Sequence, residues 1–517
     1  MKTRLVALLS LCVISVSPAQ EIKGTILSTV NNLTVVKVWG THHERGYATG
    51  YLLAPKIRLV IEQCWKRILG DYYPSARAAI QDTTFLWIDP IYKEEAQGVA
   101  EGMVAVGVTG YDAIDVLVSS AIVSMNALGA YHCSTLIDWG DATATTSLLG
   151  RTVAAHIDDY EAYGDLVSRR TYIENQVMMI HVPDEPNEQP WLNVDYAGAL
   201  SAHQGVNNAG LCIFDQSMNE GKNGIPQAGM RYEPERLVLR TGLERKDFNG
   251  DGHTNAEDFK DLILGHPNGF PTADMFAIAA PSTEVHDSLV ALIAETNLTK
   301  PYYVFRSTAY DDTMPGKNLY TANSGIATND IRFYCYRYLG VAGAIGSGTN
   351  IDTSLNWALM RDYSIQKGIG IVFMQVVPEE KVLRVAVRTV EIPVYQMEPM
   401  TFNLDTLFSP TTDVRSVMTS QGPRQFGLEQ NYPNPFNATT TIHYTVAGVW
   451  NQASGVSEVR IAIYDLLGRE VAKIVNAWQA PGTYEVRFDG AQLTSGVYFY
   501  KLRAGNWTAT RSMLLLK

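Results

Sequence analysis

The sequence predicts an α+β fold followed by a separate, small all-β domain. Between about residue 47 and residue 131, apolar residues recur at three- and four-residue spacing, which is typical of amphipathic helices. From residue 133 short apolar runs alternate with turn-forming segments, which is typical of antiparallel hairpins. Beyond about residue 426 the helical period disappears and strand patterns remain. With 517 residues the chain is long enough for two or more domains.

The composition is that of a globular, mildly acidic protein. Hydrophobic residues make up 46% and charged residues 18%, which excludes a disordered, collagen-like or coiled-coil chain. The 41 basic and 53 acidic residues give a formal net charge of −12, and no Lys/Arg cluster stands out. Charge therefore offers no support for a nucleic-acid partner.

The N-terminus carries the pattern of a secretory signal peptide over residues 1–20. Lys2 and Arg4 precede the apolar run LVALLSLCVISVS, and the segment Ser17-Pro18-Ala19-Gln20 supplies the small residues of a cleavage site. The apolar run is too short for a membrane span, and we expect no transmembrane segment later in the chain. After removal of this segment four cysteines remain, too few for a protein held together by disulfides.

The pattern predicts these regions. Residues 21–132 are a mainly helical segment and a candidate for a cleaved N-terminal chain, and residues 133–400 are a β-rich catalytic part. Within the latter, helical pattern is predicted from about 233 to 300 and a hairpin from about 370 to 390. Residues 401–425 are polar and turn-rich, which is typical of a linker, and residues 426–517 form the all-β domain.

The all-β region contains ordered motifs: LEQNYPNPFNATTTIHYTV, VRIAIYDLLGREVAKIV, GTYEVRFDG, SGVYFYKL and a terminal MLLLK. In this order they resemble a type A sorting domain of the type IX secretion system. The resemblance implies that the type IX machinery is a partner and that the protein is secreted or held at the cell surface. The alternative is a generic carbohydrate-binding or immunoglobulin-like sandwich.

Three polar residues at strand ends suggest a nucleophilic site. Cys133 begins the first strand of the β-rich part, Asp158 lies at the end of the next strand, and Asn207 lies in a hairpin turn. Each residue alone is weak evidence for a catalytic site. A lone Cys is often a packed thiol, and an NNAG turn needs only residues that tolerate the left-handed conformation. Together they could supply a nucleophile, an orienting group and an oxyanion donor.

Residues 36–395 resemble the acyl-coenzyme A:6-aminopenicillanic acid acyltransferase family of N-terminal-nucleophile (Ntn) hydrolases. The motifs are GTHHERGYATG at 40–50, the segment around Cys133, and Gly-x-Asn-x-x-Gly-Leu at 205–211. The resemblance implies an αββα sandwich and self-cleavage before Cys133, whose freed α-amine would take the thiol proton. It further implies a thioester on Cys133, orientation by Asp158, an oxyanion donor in Asn207 and a basic residue, for which Arg240 is the candidate.

The chain departs from the family at several positions. Ala155-His156 stands where relatives carry Arg-Asn or Gln-Asn, His132 precedes the nucleophile where Gly is usual, and Asn323-Ser324 replaces a later Asn-His pair. The leading hypothesis is a secreted, autoproteolytic cysteine hydrolase or acyltransferase acting on the linear amide, or ester, of an acylated small molecule or peptide. A phospholipase B-like lipid hydrolase and a catalytically silent surface or binding protein remain alternatives.

Residues 247–258 follow the spacing of an EF-hand calcium loop. Oxygen-bearing side chains fall at loop positions 1, 3, 5, 9 and 12, a glycine falls at position 6, and Asp at position 12 is similar to a dockerin-type loop. The predicted ligands are Asp247, Asn249, Asp251, His253, Asn255 and Asp258. We expect a structural Ca²⁺ site and no cofactor for catalysis; the alternative is a polar turn between two helices.

Overall fold

The computed structural model describes most of the chain after residue 20. The described residues are 21–121, 133–159, 165–218, 227, 229–282, 289–307, 314–323, 325, 335–364, 370–409, 427–446, 457–466, 468–479, 482–504 and 507–516. The predicted signal peptide, His132, Ser324 and residues 410–425 of the predicted linker lie outside them. None of the helices in these ranges combines the length and the apolar character that crossing a bilayer requires.

The larger sheet has nine strands in the order β1-β2-β5-β6-β7-β8-β9-β10-β11. Its strands are β1 Gly24–Val30, β2 Leu33–Gly40, β5 Gln176–Pro183, β6 Trp191–Tyr196, β7 Gln204–Asn207, β8 Cys212–Ser217, β9 Asp274–Ala279, β10 Ala291–Thr296 and β11 Tyr303–Arg306. Neighbouring strands are antiparallel except β2 and β5, which are parallel. The segment predicted to be mainly helical therefore begins with two strands.

The second sheet has six strands in the order β12-β3-β4-β13-β14-β15. Its strands are β3 Ser134–Asp138, β4 Val153–Asp159, β12 Asn318–Thr321, β13 Gly370–Val377, β14 Val382–Val387 and β15 Met400–Asn403. All neighbouring strands are antiparallel. The predicted hairpin at 370–390 is formed by β13 and β14.

Helices cover the outer faces of both sheets. They are α1 His42–Val60, α2 Lys66–Leu69, α3 Tyr73–Gln81, α4 Pro90–Ala105, α5 Ala113–Ala121, α6 Leu166–Glu174, α7 Glu235–Glu244, α8 Ala256–Leu264, α9 Tyr336–Ala344, α10 Thr353–Leu359 and α11 Leu404–Phe408. The inner faces of the two sheets meet in one buried cluster that includes Phe214 and Ala277 from the first and Val372 from the second. The architecture is the α+β fold that the sequence pattern predicted, in the form of the αββα sandwich that the resemblance implied.

The helical pattern predicted from 233 to 300 is wrong in its second half. Helices α7 and α8 form as expected, but residues 274–279 and 291–296 are β9 and β10. Both strands are buried throughout, with the sequences DMFAIA and ALIAET. A short, continuous apolar run reads alike in a buried strand and in a buried helix, so periodicity alone cannot separate them.

Helices α1 and α4 approach each other closely at glycine positions. A Cβ atom on Gly46 would lie 2.1 Å from the Glu95 carbonyl oxygen, and one on Gly50 would lie 2.0 Å from the Val99 carbonyl oxygen. Gly98 on α4 faces α1 in the same way. The glycines of the 40–50 motif therefore let two helix backbones touch where any side chain would separate them.

The C-terminal region is all β. One sheet has the order β16-β17-β20 and the other β19-β18-β21-β22. The strands are β16 Gly427–Leu428, β17 Thr439–Val446, β18 Ser457–Tyr464, β19 Glu470–Gln479, β20 Gly482–Asp489, β21 Gly496–Ala504 and β22 Trp507–Leu515. Residues of both sheets share one buried cluster, among them Ile442, Ile461 and Leu502. The predicted small all-β sandwich is confirmed.

Candidate active site

Cys133 and Asp158 lie side by side between the two sheets. Cys133 directly precedes β3, and the pairing of Ser134 with Ile157 sets it beside the end of β4. The Cys133 Sγ atom donates to Asp158 Oδ1 at 3.6 Å. Both side chains are about 99% buried, so this contact is shielded from water. The strand pairing thus brings together two of the residues that the sequence selected.

His203 joins this pair from the residue directly before β7. Its Nδ1 atom lies 3.3 Å from Asp158 Oδ2 and its Nε2 atom lies 3.9 Å from Asp215 Oδ2. Arg236 on α7 donates from Nε to the same Asp215 oxygen at 2.7 Å. Burial, together with the nearby Arg236 charge, lowers the pKa of His203 to about 3, so the imidazole is neutral at physiological pH.

Arg337 near the start of α9 holds the backbone at Cys133. Its Nη1 atom donates to the Cys133 carbonyl oxygen and to Ser134 Oγ, both at 2.9 Å. Its Nη2 atom donates to Asn323 Oδ1 at 3.0 Å, and Asn323 Nδ2 donates to the Ser217 carbonyl oxygen at 2.8 Å. The planar guanidinium therefore ties the first residue of β3 to Asn323 after β12 and, through it, to β8.

His156 occupies the same face of β4 as Asp158, two residues before it. Its Nδ1 atom lies 2.8 Å from Thr135 Oγ1, its ring stacks on Phe214 at 5.0 Å, and its ring centroid lies 6.1 Å from that of His203. Burial lowers the pKa of His156 well below its usual range. The position at which the chain departs from the family pattern thus carries a neutral imidazole that faces the site.

Two further buried carboxyls surround Asp215 and Arg236. Burial raises the pKa of Asp195 to about 7, and the Asp158 and Asp215 charges act in the same direction. Burial and the Asp215 charge raise the pKa of Asp274 to about 7 as well. These two groups therefore titrate near neutral pH close to the candidate nucleophile.

The structure does not bring Asn207 to Cys133. The Asn207 side chain donates to the Leu243 carbonyl oxygen at 3.2 Å and accepts from the Leu211 amide at 2.9 Å. Its turn contacts the β13–β14 turn, where Lys381 Nζ donates to the Asn208 carbonyl oxygen at 2.8 Å.

That end of the sandwich is remote from the nucleophile. The β13–β14 turn follows Val376, which pairs with Ala154 at one end of β4, whereas Cys133 lies by Asp158 at the other. Four strand residues span ~13 Å. The expected oxyanion role of Asn207 therefore does not fit; its amide holds the hairpin turn against α7.

Arg240 also lies away from Cys133, in a charged network between α1, α4 and α7. Its Nη2 atom lies 2.5 Å from Glu95 and 2.6 Å from Glu244, and its guanidinium packs over Tyr92 at 4.8 Å. Burial alone would lower the pKa of His42, but hydrogen bonds to Glu188 and Glu95 raise it to about 10. Arg240 is fully buried, and its described charge partners are Glu95 and Glu244, so the structure does not bring it into contact with Cys133.

The predicted calcium loop connects α7 to α8, as its motif requires. Gly250 and Gly252 have positive φ, and Asp247 Oδ2 accepts from the Gly252 amide at 2.9 Å. Four of the predicted ligands accept hydrogen bonds from backbone amides of the loop or of the start of α8. They are Asn249, Asp251, Asn255 and Asp258. His253 is exposed, and its amide donates to Asp251. Asp247 Oδ1 is buried and has no hydrogen-bond partner among the described residues, which fits a cation at that oxygen.

Sequence reasoning missed His203, Asp215, Arg236 and Arg337. His203 lies two residues before the glycine of the 205–211 motif, and Asp215 lies four after its leucine, so both flank a segment that was already selected. Arg337 follows Cys335 in an aromatic run that reads as core packing. His203 reaches the site through a contact with Asp158, 45 positions away in sequence, and Arg337 through a contact with Cys133, 204 positions away. Arg236 reaches it through Asp215, 21 positions away.

One comparison with known proteins identifies the C-terminal region. Residues 430–515 match the family of secretion system C-terminal sorting domains. This part of the chain is a sorting domain, and the protein is exported through the type IX route to the cell surface or into the medium. No protein of curated function matches the sequence.

Several solved structures are similar to about half of the chain. They include an N-acylethanolamine-hydrolyzing acid amidase ortholog from Caenorhabditis elegans (9% identity, TM-score 0.31, 48% of this chain and 93% of that one). Penicillin V acylase from Agrobacterium tumefaciens follows at 12% identity and a TM-score of 0.32, over 54% and 89%. A mutant of the conjugated bile acid hydrolase from Clostridium perfringens has 11% identity and a TM-score of 0.34, over 53% and 94%. The likeness to all three is distant.

Proposed function

We propose that this exported protein is an Ntn-type cysteine hydrolase that cleaves the amide bond of an acylated small molecule or peptide. The observation that carries the proposal is the buried contact between Cys133 Sγ and Asp158 at the start of β3. A cysteine that begins a strand between two sheets, with a carboxylate in contact, suits a nucleophile that becomes the first residue of a cleaved chain. The sorting domain supports an extracellular place of action, where water is the available acyl acceptor.

In the proposed reaction the Cys133 sulfur attacks the carbonyl carbon of the substrate. The thiol proton passes to the α-amine that cleavage of the bond before Cys133 sets free, and from there to the leaving amine. The acyl group remains on sulfur as a thioester until water, losing a proton to the same amine, hydrolyses it and restores the thiol. Asp158 holds the sulfur of Cys133 in place, and Arg337 fixes the backbone carbonyl of the same residue.

The test is the intact mass and N-terminal sequence of the purified mature protein. We expect a new N-terminus at Cys133 that is lost in Cys133→Ala. Cys212→Ala is the matched control, because Cys212 also begins a buried strand but its Sγ contacts only the Gly210 carbonyl oxygen among the contacts described. A chain that stays uncut and whose Cys133 resists a thiol reagent would contradict the proposal and favour a silent surface or binding protein.

A substrate panel separates the two enzymatic hypotheses. N-acyl amides and acylated peptides should be cleaved with loss of activity in Cys133→Ala. Selective cleavage of phospholipids would instead favour the phospholipase B-like alternative. Transfer to an added amine, rather than to water, would show the acyltransferase variant of the same thioester chemistry.

We propose separately that Ca²⁺ binds the loop at 247–258 and stabilises the connection between α7 and α8. The buried Asp247 oxygen without a hydrogen-bond partner, the glycine turn and the flanking helices support this proposal. Thermal unfolding in Ca²⁺ and in a chelator tests it. A bound ion at a hundredfold excess over Kd adds about 2.7 kcal/mol. An Asp247→Ala variant should lose this gain, and an equal transition temperature in both buffers would refute the site.

A further inference from the structure

We propose that Zn²⁺, or another thiophilic divalent cation, binds to Cys133, Asp158 and His203 and blocks the thiol. The three residues come from β3, β4 and the position before β7, and one ligand atom from each lies within 4.8 Å of the others. All three side chains are buried. Thiolate, carboxylate and imidazole are the ligand types that zinc takes in proteins. The inhibitory effect rests on the function proposed above, whereas binding itself does not.

The distances between these atoms match the edges of a tetrahedral zinc site. Cys133 Sγ lies 3.6 Å from Asp158 Oδ1, and His203 Nδ1 lies 3.3 Å from Asp158 Oδ2. With Zn–S of ~2.3 Å and Zn–N or Zn–O of ~2.0 Å, tetrahedral geometry separates sulfur from oxygen by ~3.5 Å and nitrogen from oxygen by ~3.3 Å. Asp158 presents a different oxygen to each neighbour, so the ion can take one oxygen after a small rotation of the carboxylate, or both.

The ligands also balance the charge of the ion. A Cys133 thiolate and the Asp158 carboxylate together neutralise the two positive charges of Zn²⁺ in a buried place, where an uncompensated charge is costly. On binding, the thiol proton passes to water and a Zn–S bond forms. His203 coordinates through the Nδ1 lone pair and keeps its proton on Nε2. With its lone pairs shared with the metal, the sulfur is no longer available to attack a carbonyl carbon.

Groups behind His203 support the same orientation. Nε2 faces Asp215 Oδ2 at 3.9 Å, and Arg236 Nε holds that oxygen at 2.7 Å. At 3.9 Å this oxygen lies beyond hydrogen-bond distance of Nε2. A shift of ~1 Å would give the carboxylate partner that usually fixes the tautomer and ring orientation of a metal-bound histidine.

A second cluster shows why this site is the stronger candidate. Ligand atoms of His42, Glu185 and Glu188 also lie within 4.8 Å of one another. There, however, both nitrogens of His42 are engaged with Glu95 and Glu188, and Arg45 pairs with Glu185 and Glu188. Cationic side chains already compensate these carboxylates, so an ion would have to displace them.

The test uses the purified full-length chain without an affinity tag, titrated with Co²⁺ in place of zinc. We expect one equivalent to give the near-ultraviolet charge-transfer band of a thiolate ligand, and Zn²⁺ to remove this band by competition. In parallel, Zn²⁺ should slow alkylation of Cys133 by iodoacetamide about tenfold or more, and a chelator should restore the rate. Ions at the acidic loop 247–258 give no thiolate band.

Variants assign the band to its ligands. Cys133→Ser should abolish it, Cys212→Ser should keep it, and His203→Gln should weaken Co²⁺ binding about tenfold or more. The proposal is overturned if the wild-type chain gives no thiolate band at millimolar Co²⁺, if the band survives in Cys133→Ser, or if Zn²⁺ leaves the alkylation rate unchanged. The two wild-type measurements, the thiolate band and the alkylation rate, test metal binding even if a variant does not fold. Neither requires turnover, so a chain that binds zinc but cleaves no amide when it is free of metal would refute the hydrolase and leave the metal site standing.

Discussion

Replacing Arg240 with Met should destabilise the protein without altering the chemistry at Cys133. Arg240 compensates two carboxylates, Glu95 and Glu244, and all three side chains are at least 98% buried. Met fills most of the space but carries no charge, and His42 with Arg45 would be left to balance both carboxylates. Breaking a buried ion pair by removing one partner costs about 3–5 kcal/mol. Against a total stability of about 5–15 kcal/mol, that loss is large.

Urea unfolding followed by circular dichroism measures this loss. With an m-value of ~3 kcal/mol/M, the midpoint should fall by roughly 1 M or more. Arg361→Met is the control, since Arg361 is 42% exposed and pairs with an exposed Asp362, a kind of pair worth under ~1 kcal/mol. In folded Arg240→Met the alkylation rate of Cys133 should equal that of the wild type. An unchanged midpoint, or a changed thiol reactivity at an unchanged midpoint, would refute the structural role of Arg240.

Three other outcomes are expected. Gly50→Ala should lower the free energy of unfolding by about 1–3 kcal/mol, because its Cβ would lie 2.0 Å from a backbone oxygen of α4; an unchanged denaturation midpoint would contradict that packing. Burial raises the pKa of Asp138 to about 7 in the folded state, so its stability contribution is present at acid pH and is lost as the pH rises through 7. The free energy of unfolding of Asp138→Asn, measured relative to that of the wild type, should therefore be higher at pH 8 than at pH 5. Parallel pH profiles for variant and wild type would argue against the shift. A lysine at position 337 cannot contact the Cys133 carbonyl and Asn323 at the same time. Arg337→Lys should therefore lower turnover about 100-fold with little effect on the unfolding midpoint. An unaltered rate would contradict a role of Arg337 in positioning Cys133.

The sequence by itself determined the features that depend on local order. Each of these features depends on a short segment of sequence. They are the strand motifs of the sorting domain, the helix–loop–helix around residues 247–258, and the alternation of strands and turns after Cys133. Cys133 and Asp158 could be selected together because consecutive antiparallel strands place the start of one beside the end of the next.

Tertiary structure alone decided which other side chains reach Cys133. His203 lies beside a strand of the opposite sheet, and Arg337 lies on a helix that packs behind the second sheet. Their contacts with the site therefore cannot be predicted from residue spacing along the chain. Asn207 and Arg240 carried plausible residue types, but strand direction puts Asn207 at the far end of the sandwich and helix packing turns Arg240 toward Glu95. A local pattern fixes which face or end of an element a residue occupies, whereas the partner of that face is set by the stacking of the sheets.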